Sequence, residues 1–218
     1  MGTITRSLSN NITTGGVILP AGITNSSVSA VTSFANASGG TLTLLSTQTA
    51  SNSATISFTT GLDSTYDLYE FHFINIGCRT DNTQFTFNMS TDAGSNYNVT
   101  KTTTMFRAYH NESGTDTALG YEASFDLAQS TAFQPLTMVQ GNGADESASG
   151  VLQLFNPSST TYVKHFIANT NNYSYHDYNF NNYSAGYGNT TSAVNAIRFQ
   201  MASGNFDGDI KLYGVKKS

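Results

Sequence analysis

The chain has 218 residues and a formal net charge of -5, from 9 Lys and Arg against 14 Asp and Glu. Only 11% of its residues are charged, less than half of the ~25% usual in globular proteins; Ser, Thr and Asn fill the gap with roughly a third of the chain, and aromatics reach 12% without any Trp. This composition excludes a disordered chain, which has few aromatics and much net charge. The longest basic run is Lys216-Lys217, which argues against a surface that tracks nucleic-acid phosphates. No apolar run approaches the ~20 residues of a membrane helix, so membrane insertion is not expected. The opening Met1-Gly2-Thr3-Ile4-Thr5-Arg6 lacks the apolar core of a signal peptide, and Arg6 breaks the myristoylation pattern.

Residues 1–39 read as a unit distinct from 40–218. Apolar positions there are sparse and separated by wide polar gaps, so the segment cannot bury enough surface to fold alone. Yet Val17, Ile18, Leu19, Ile23, Val28, Val31 and Phe34 are too many for a plain linker. The pattern suits an extended docking arm whose anchors order on a partner surface. A loose tail, or an extra edge strand on its own domain, are the competing readings. Ala37-Ser38-Gly39-Gly40 marks the boundary.

Beyond it, alternation with a period of two takes over, which predicts half-buried antiparallel strands. It is clear at 53–59 (Ala54, Ile56, Phe58 on one face), 69–76, 84–90 (Phe85, Phe87, Met89), 150–155, 160–167, 196–201 and 209–215. Turn chemistry separates these runs at Asp92-Ala93-Gly94, Asn156-Pro157-Ser158, Ser203-Gly204-Asn205 and Asp207-Gly208-Asp209. The best helix candidate is a weak one at 118–130. Strands this closely spaced leave no room for repeated βαβ units, so the expected fold is all-β, an antiparallel β-sandwich or jelly roll.

Catalytic signals are missing from the sequence. Cys78 stands alone, which rules out an intrachain disulfide and a thiolate metal cluster, and its apolar setting reads as a small buried hydrophobe. His72, His110, His165 and His176 show no metal-ligand spacing, and no Gly-x-Ser-x-Gly elbow or phosphate loop occurs. Asp207-Gly208-Asp209 invites a calcium reading but lacks further acidic ligands, so a tight turn before the last strand is expected. No catalytic residue, metal ligand or cofactor is therefore expected. The oddest stretch is 171–183, where Tyr173, Tyr175, Tyr178, Phe180 and Tyr183 alternate with Asn and Ser. Such amphipathic rings suit a glycan or a subunit contact, and equally an ordinary two-faced strand.

Several stretches resemble virion structural proteins of tailed bacteriophages, particularly marine ones. They are NITTGGVILP at Asn11 to Pro20, LSTQTA at Leu45 to Ala50, STYDLYEF at Ser64 to Phe71, STDAGSNY at Ser90 to Tyr97, and FQMASGNFDGDIKLYGV at Phe199 to Val215. The resemblance implies a non-enzymatic jelly-roll subunit located on the virion, with no catalytic residues and no cofactor. Its partners would be the major capsid protein or neighbouring virion subunits, and it would form a homo-oligomer, a trimer first. Two placements compete. A capsid decoration subunit, a cement or head-fibre protein, would dock through its arm. A tail-fibre or receptor-binding subunit would use the Tyr-rich stretch on a host glycan. The chain has neither heptads nor collagen-like repeats for a fibre shaft, which favours the capsid. An enzyme acting on the host envelope is a third class.

Overall fold

The computed structural model describes residues 12–13, 16–17, 41–174 and 176–215. In the first of these units β1 (Ile12–Thr13) and β2 (Gly16–Val17) pair antiparallel, with Ile12 opposite Val17. The backbone of Val17 thus lies in β2. The other expected anchors of the arm, Ile18, Leu19, Ile23, Val28, Val31 and Phe34, lie outside the described residues.

Residues 41–215 carry twelve further strands: β3 (Leu42–Ser53), β4 (Ile56–Phe58), β5 (Leu68–Cys78), β6 (Phe85–Ser90), β7 (Lys101–Asn111), β8 (Thr117–Tyr121), β9 (Gln134–Pro135), β10 (Ala148–Phe155), β11 (Lys164–Ser174), β12 (Tyr178–Gly188), β13 (Ala196–Met201) and β14 (Phe206–Val215). They form an eight-stranded sheet in the order β3-β14-β5-β10-β11-β12-β7-β8 and a four-stranded sheet in the order β4-β13-β6-β9. The pairs β3–β14, β4–β13, β5–β10 and β6–β9 are antiparallel and nest one inside the next along the chain. A long hairpin folded over on itself gives this nesting, and the order is that of a jelly roll. Two insertions, β7–β8 between β6 and β9 and β11–β12 between β10 and β13, widen the larger sheet by four strands.

The core between the sheets is built on phenylalanine. Phe199 sits at its centre, with ring centroids 5.3 Å from Phe71 and 5.2 Å from Phe73 on the larger sheet, and 5.8 Å from Phe85 and 6.3 Å from Phe58 on its own side. Most of these contacts are edge-to-face or tilted, the arrangement that aromatic quadrupoles prefer. Each fully buried ring contributes on the order of 1.5–3 kcal/mol of burial free energy. Phe166 of β11 reaches the same core through Phe87, at 4.9 Å.

Beneath the widened half, the segment 122–147, which carries the edge strand β9 of the four-stranded sheet, covers the larger sheet. Here many inward positions are polar, beside a small apolar cluster of Met105, Met138 and Phe180. Asn182 Nδ2 donates to Asn172 Oδ1 (2.9 Å), and the amide of Met138 donates to Asn182 Oδ1 (3.3 Å). Thr170 Oγ1 donates to the Leu136 carbonyl (2.5 Å), and Thr103 Oγ1 to Gln134 Oε1 (2.5 Å). Buried amides and hydroxyls therefore fasten the covering segment to β7, β11 and β12, because a buried polar group left unbonded would cost about 1–3 kcal/mol.

The structure corrects two expectations. The 118–130 stretch is not helical: it holds β8 and one 3-10 turn at Ala123–Phe125. The final hairpin turns at 202–205, with Gly204 at φ +75°, whereas Asp207-Gly208-Asp209 lies inside β14. Gly208 adopts φ +126° there, at a bulge against β5, a conformation that glycine tolerates and L side chains do not.

Candidate functional site

The two faces of the widened half differ in kind. The outward positions of β7 are Thr102, Thr104, Phe106, Ala108 and His110; those of β12 are Asn179, Asn181, Tyr183, Ala185 and Tyr187; those of β11 are His165, Ile167, Asn169, Asn171 and Tyr173. None of these is Asp, Glu, Lys or Arg. Phe106 stacks on Tyr183 with centroids 4.9 Å apart, yet the pair is 43% and 36% exposed; Ile167 is 50% exposed, and Leu119 on the edge strand β8 is 75% exposed. A shallow depression of about 480 Å³ lies between Phe155, Ile167 and Tyr187. On the opposite, inward face, Gly186 lets β12 lie close to β7: a Cβ there would strike the Thr102 carbonyl oxygen and Thr103. Exposed apolar side chains that cluster as Phe106, Tyr183 and Ile167 do mark interaction sites more often than singly scattered ones.

The inward face ends differently. Where β7 runs out and β12 begins, Tyr109, Tyr178 and Phe180 bring their rings to 5.6–5.7 Å of one another. The Arg107 guanidinium lies 5.4 Å from the Tyr109 ring and 5.3 Å from that of Phe180. It is held by Glu122 at 3.0 Å and by the Met138 sulfur at 3.1 Å. The Tyr178 hydroxyl donates to Asp116 Oδ2 (2.9 Å), and this bond to a carboxylate raises the Tyr178 phenol above its usual range. Arg107, Tyr109, Asp116, Met138, Tyr178 and Phe180 line a cleft of about 270 Å³.

The Tyr-rich stretch therefore splits across the sheet. Tyr173 and Tyr183 face outward; Tyr178 and Phe180 face the cleft; Tyr175 lies outside the described residues. A hydrogen bond to Asp177 (3.0 Å) pushes the Tyr173 phenol up to about 12. Period-two alternation across a hairpin forces this division, since successive side chains point to opposite faces. Sequence reasoning missed Arg107, Tyr109, Asp116 and Phe106. Their segment, 101–121, alternates without separating apolar from polar residues, and only the register of β7 against β12 brings them beside the Tyr-rich strand.

The remaining candidates are structural in their contacts. The Cys78 thiol is buried, donates to the Gly141 carbonyl (3.0 Å) and is pushed up to about 11 by desolvation. Asp207 accepts from the Arg79 guanidinium and from the Asn52 amide (2.9 Å), and the Arg79 bond lowers its carboxyl. His72 bonds Glu70 at 2.9 Å. His110 and His165 stand on the outward face, and His176 lies at the β11–β12 turn beside the cleft. Among the described residues, no three His, Cys, Asp or Glu side chains converge to hold a metal ion. No known protein family, curated protein or solved structure matches the chain.

Proposed function

We propose that this chain is a non-enzymatic structural subunit of a tailed-bacteriophage particle, a capsid decoration protein. In this reading it docks through residues 1–39 and packs against neighbouring copies through the outward face of β7, β11 and β12. The single observation that carries the packing is the uncharged surface centred on Phe106, Tyr183 and Ile167. Side chains of this kind form the cores of subunit interfaces, where charged residues are depleted and aromatics enriched. The ordered series of motifs that resembles tailed-phage virion proteins supplies the particle. The jelly roll agrees with that resemblance, although a fold by itself does not fix a function. A trimer with three arms would turn weak single contacts into stable attachment. The second placement, a receptor-binding subunit of the tail, is favoured by the aromatic cleft of Tyr109, Tyr178 and Phe180.

The test is to label purified particles with an antibody against this chain and image them. Label over the head supports the decoration reading, and label confined to the tail supports the second. A chain starting at Gly40 keeps its fold and loses particle binding. Equal binding by the shortened chain would refute arm docking.

A further inference from the structure

The cleft at the ends of β7 and β12 has an apolar floor and polar groups on its rim, the combination that marks small-molecule sites. At about 270 Å³ it falls just below the ~300–1,000 Å³ of drug-sized pockets, so it takes a small, rigid occupant. The floor is aromatic and fixed in place, with Phe180 buried and Tyr109 and Tyr178 packed against it. Fixed rings lose little conformational freedom on binding.

The rim sets the polarity of the occupant. Asp116 offers carboxylate oxygens, of which the Tyr178 hydroxyl occupies one site, and an ionised carboxylate has about four acceptor positions. Arg107 offers guanidinium N–H groups; of its five donors, one reaches Glu122 and one the Met138 sulfur. An acceptor and a donor beside the same aromatic rings match a hydroxyl pair on a ring with an apolar C–H face. Asp116 disfavours an anion, and Arg107 disfavours a cation. The net charge of -5 points the same way for nucleic acid.

We propose that this cleft binds one pyranose unit of an uncharged glycan. Its C–H face lies against the half-buried Tyr109 and Tyr178 rings, which Phe180 backs, and two hydroxyls reach Asp116 and Arg107. The assignment goes beyond the particle reading and does not depend on where the subunit sits. Copies in an oligomer raise a weak single-site affinity by avidity.

The test is saturation-transfer NMR on the purified full chain with the methyl glycosides of glucose, galactose, mannose and N-acetylglucosamine. Methyl glucuronide serves as the charged comparison. The expected result is transfer to ring C–H protons of at least one neutral glycoside, with binding at least tenfold weaker for the glucuronide. Asp116→Ala and Tyr178→Ala each weaken binding at least tenfold, whereas Tyr162→Ala, which removes an exposed ring elsewhere, leaves it unchanged. Should Tyr178→Ala fail to fold, the exposed position Asp116 still decides the matter. Transfer to none of the four neutral sugars, full binding by the Asp116 variant, or tighter binding of the glucuronide overturns the proposal. Particle attachment is read separately, so its loss or retention leaves this result intact.

Discussion

Lys101 Nζ donates to Asn88 Oδ1 at 2.5 Å and to the Val99 carbonyl at 2.8 Å, fully buried and with no carboxylate among these partners. Desolvation disfavours the charged ammonium and lowers its pKa to about 7 from 10.5. In the window from about 7 to 10.5 the unfolded chain holds a proton that the folded chain lacks, so stability rises with pH across it. Below about 7 both states are protonated and the dependence flattens. Urea unfolding at pH 7 and pH 9 is expected to differ by about 1–3 kcal/mol in favour of pH 9. Lys101→Met removes most of that difference; a variant with the same pH dependence would show that another group is responsible.

The central place of Phe199 among five other rings makes it the most costly core truncation. Phe199→Ala is expected to lose about 3–5 kcal/mol by urea denaturation, from lost transfer energy and the cavity left behind. Phe199→Leu, which keeps more of the volume, loses less. A loss below about 1 kcal/mol for the alanine variant would mean that the two sheets collapse freely around the gap.

Asn182 tests the polar layer. Its amide joins Asn172, Thr170 and the Met138 amide beneath the covering segment. Asn182→Ala strands those groups and is expected to cost about 1–3 kcal/mol. Asn181→Ala, one residue away on the outward face, stays within about 0.5 kcal/mol. Equal effects at the two positions would contradict the register of β12.

Ile167→Asp places a charge in the middle of the uncharged outward face. Light scattering coupled to gel filtration is expected to show smaller assemblies, with circular dichroism and thermal midpoint little changed. An unaltered assembly size would remove this face from the subunit interface.

Cys78 is buried and its thiol is held protonated. Iodoacetamide, which needs the thiolate, is expected to label it slowly in the folded chain at pH 8 and completely in 6 M urea. Mass spectrometry reads both fractions, and fast labelling of the native chain would mean that the 140–147 segment opens readily.

The sandwich half of this protein is written in its sequence, and the widened half is not. Alternation predicts a strand at 196–201 and β13 has those bounds, because Ala196, Ile197, Phe199 and Met201 go to the core. In β7 and β12 the signal inverts. Lys101, Thr103, Asn182 and Ser184 point inward, and Phe106, Ala185 and Tyr187 point outward. Hydrophobic periodicity reads burial from side-chain chemistry, and it fails where amides and hydroxyls satisfy one another inside. Composition and alternation determined the all-β class and the strands that face the phenylalanine core. Only tertiary pairing decided that residues 101–121 lie beside 178–188, that the tyrosines divide between two faces, and that Arg107 and Asp116 meet the same aromatic floor. The contacts of Arg107 with Phe180 and of Asp116 with Tyr178 join residues more than sixty apart in the chain, and no local pattern encodes a register set by packing.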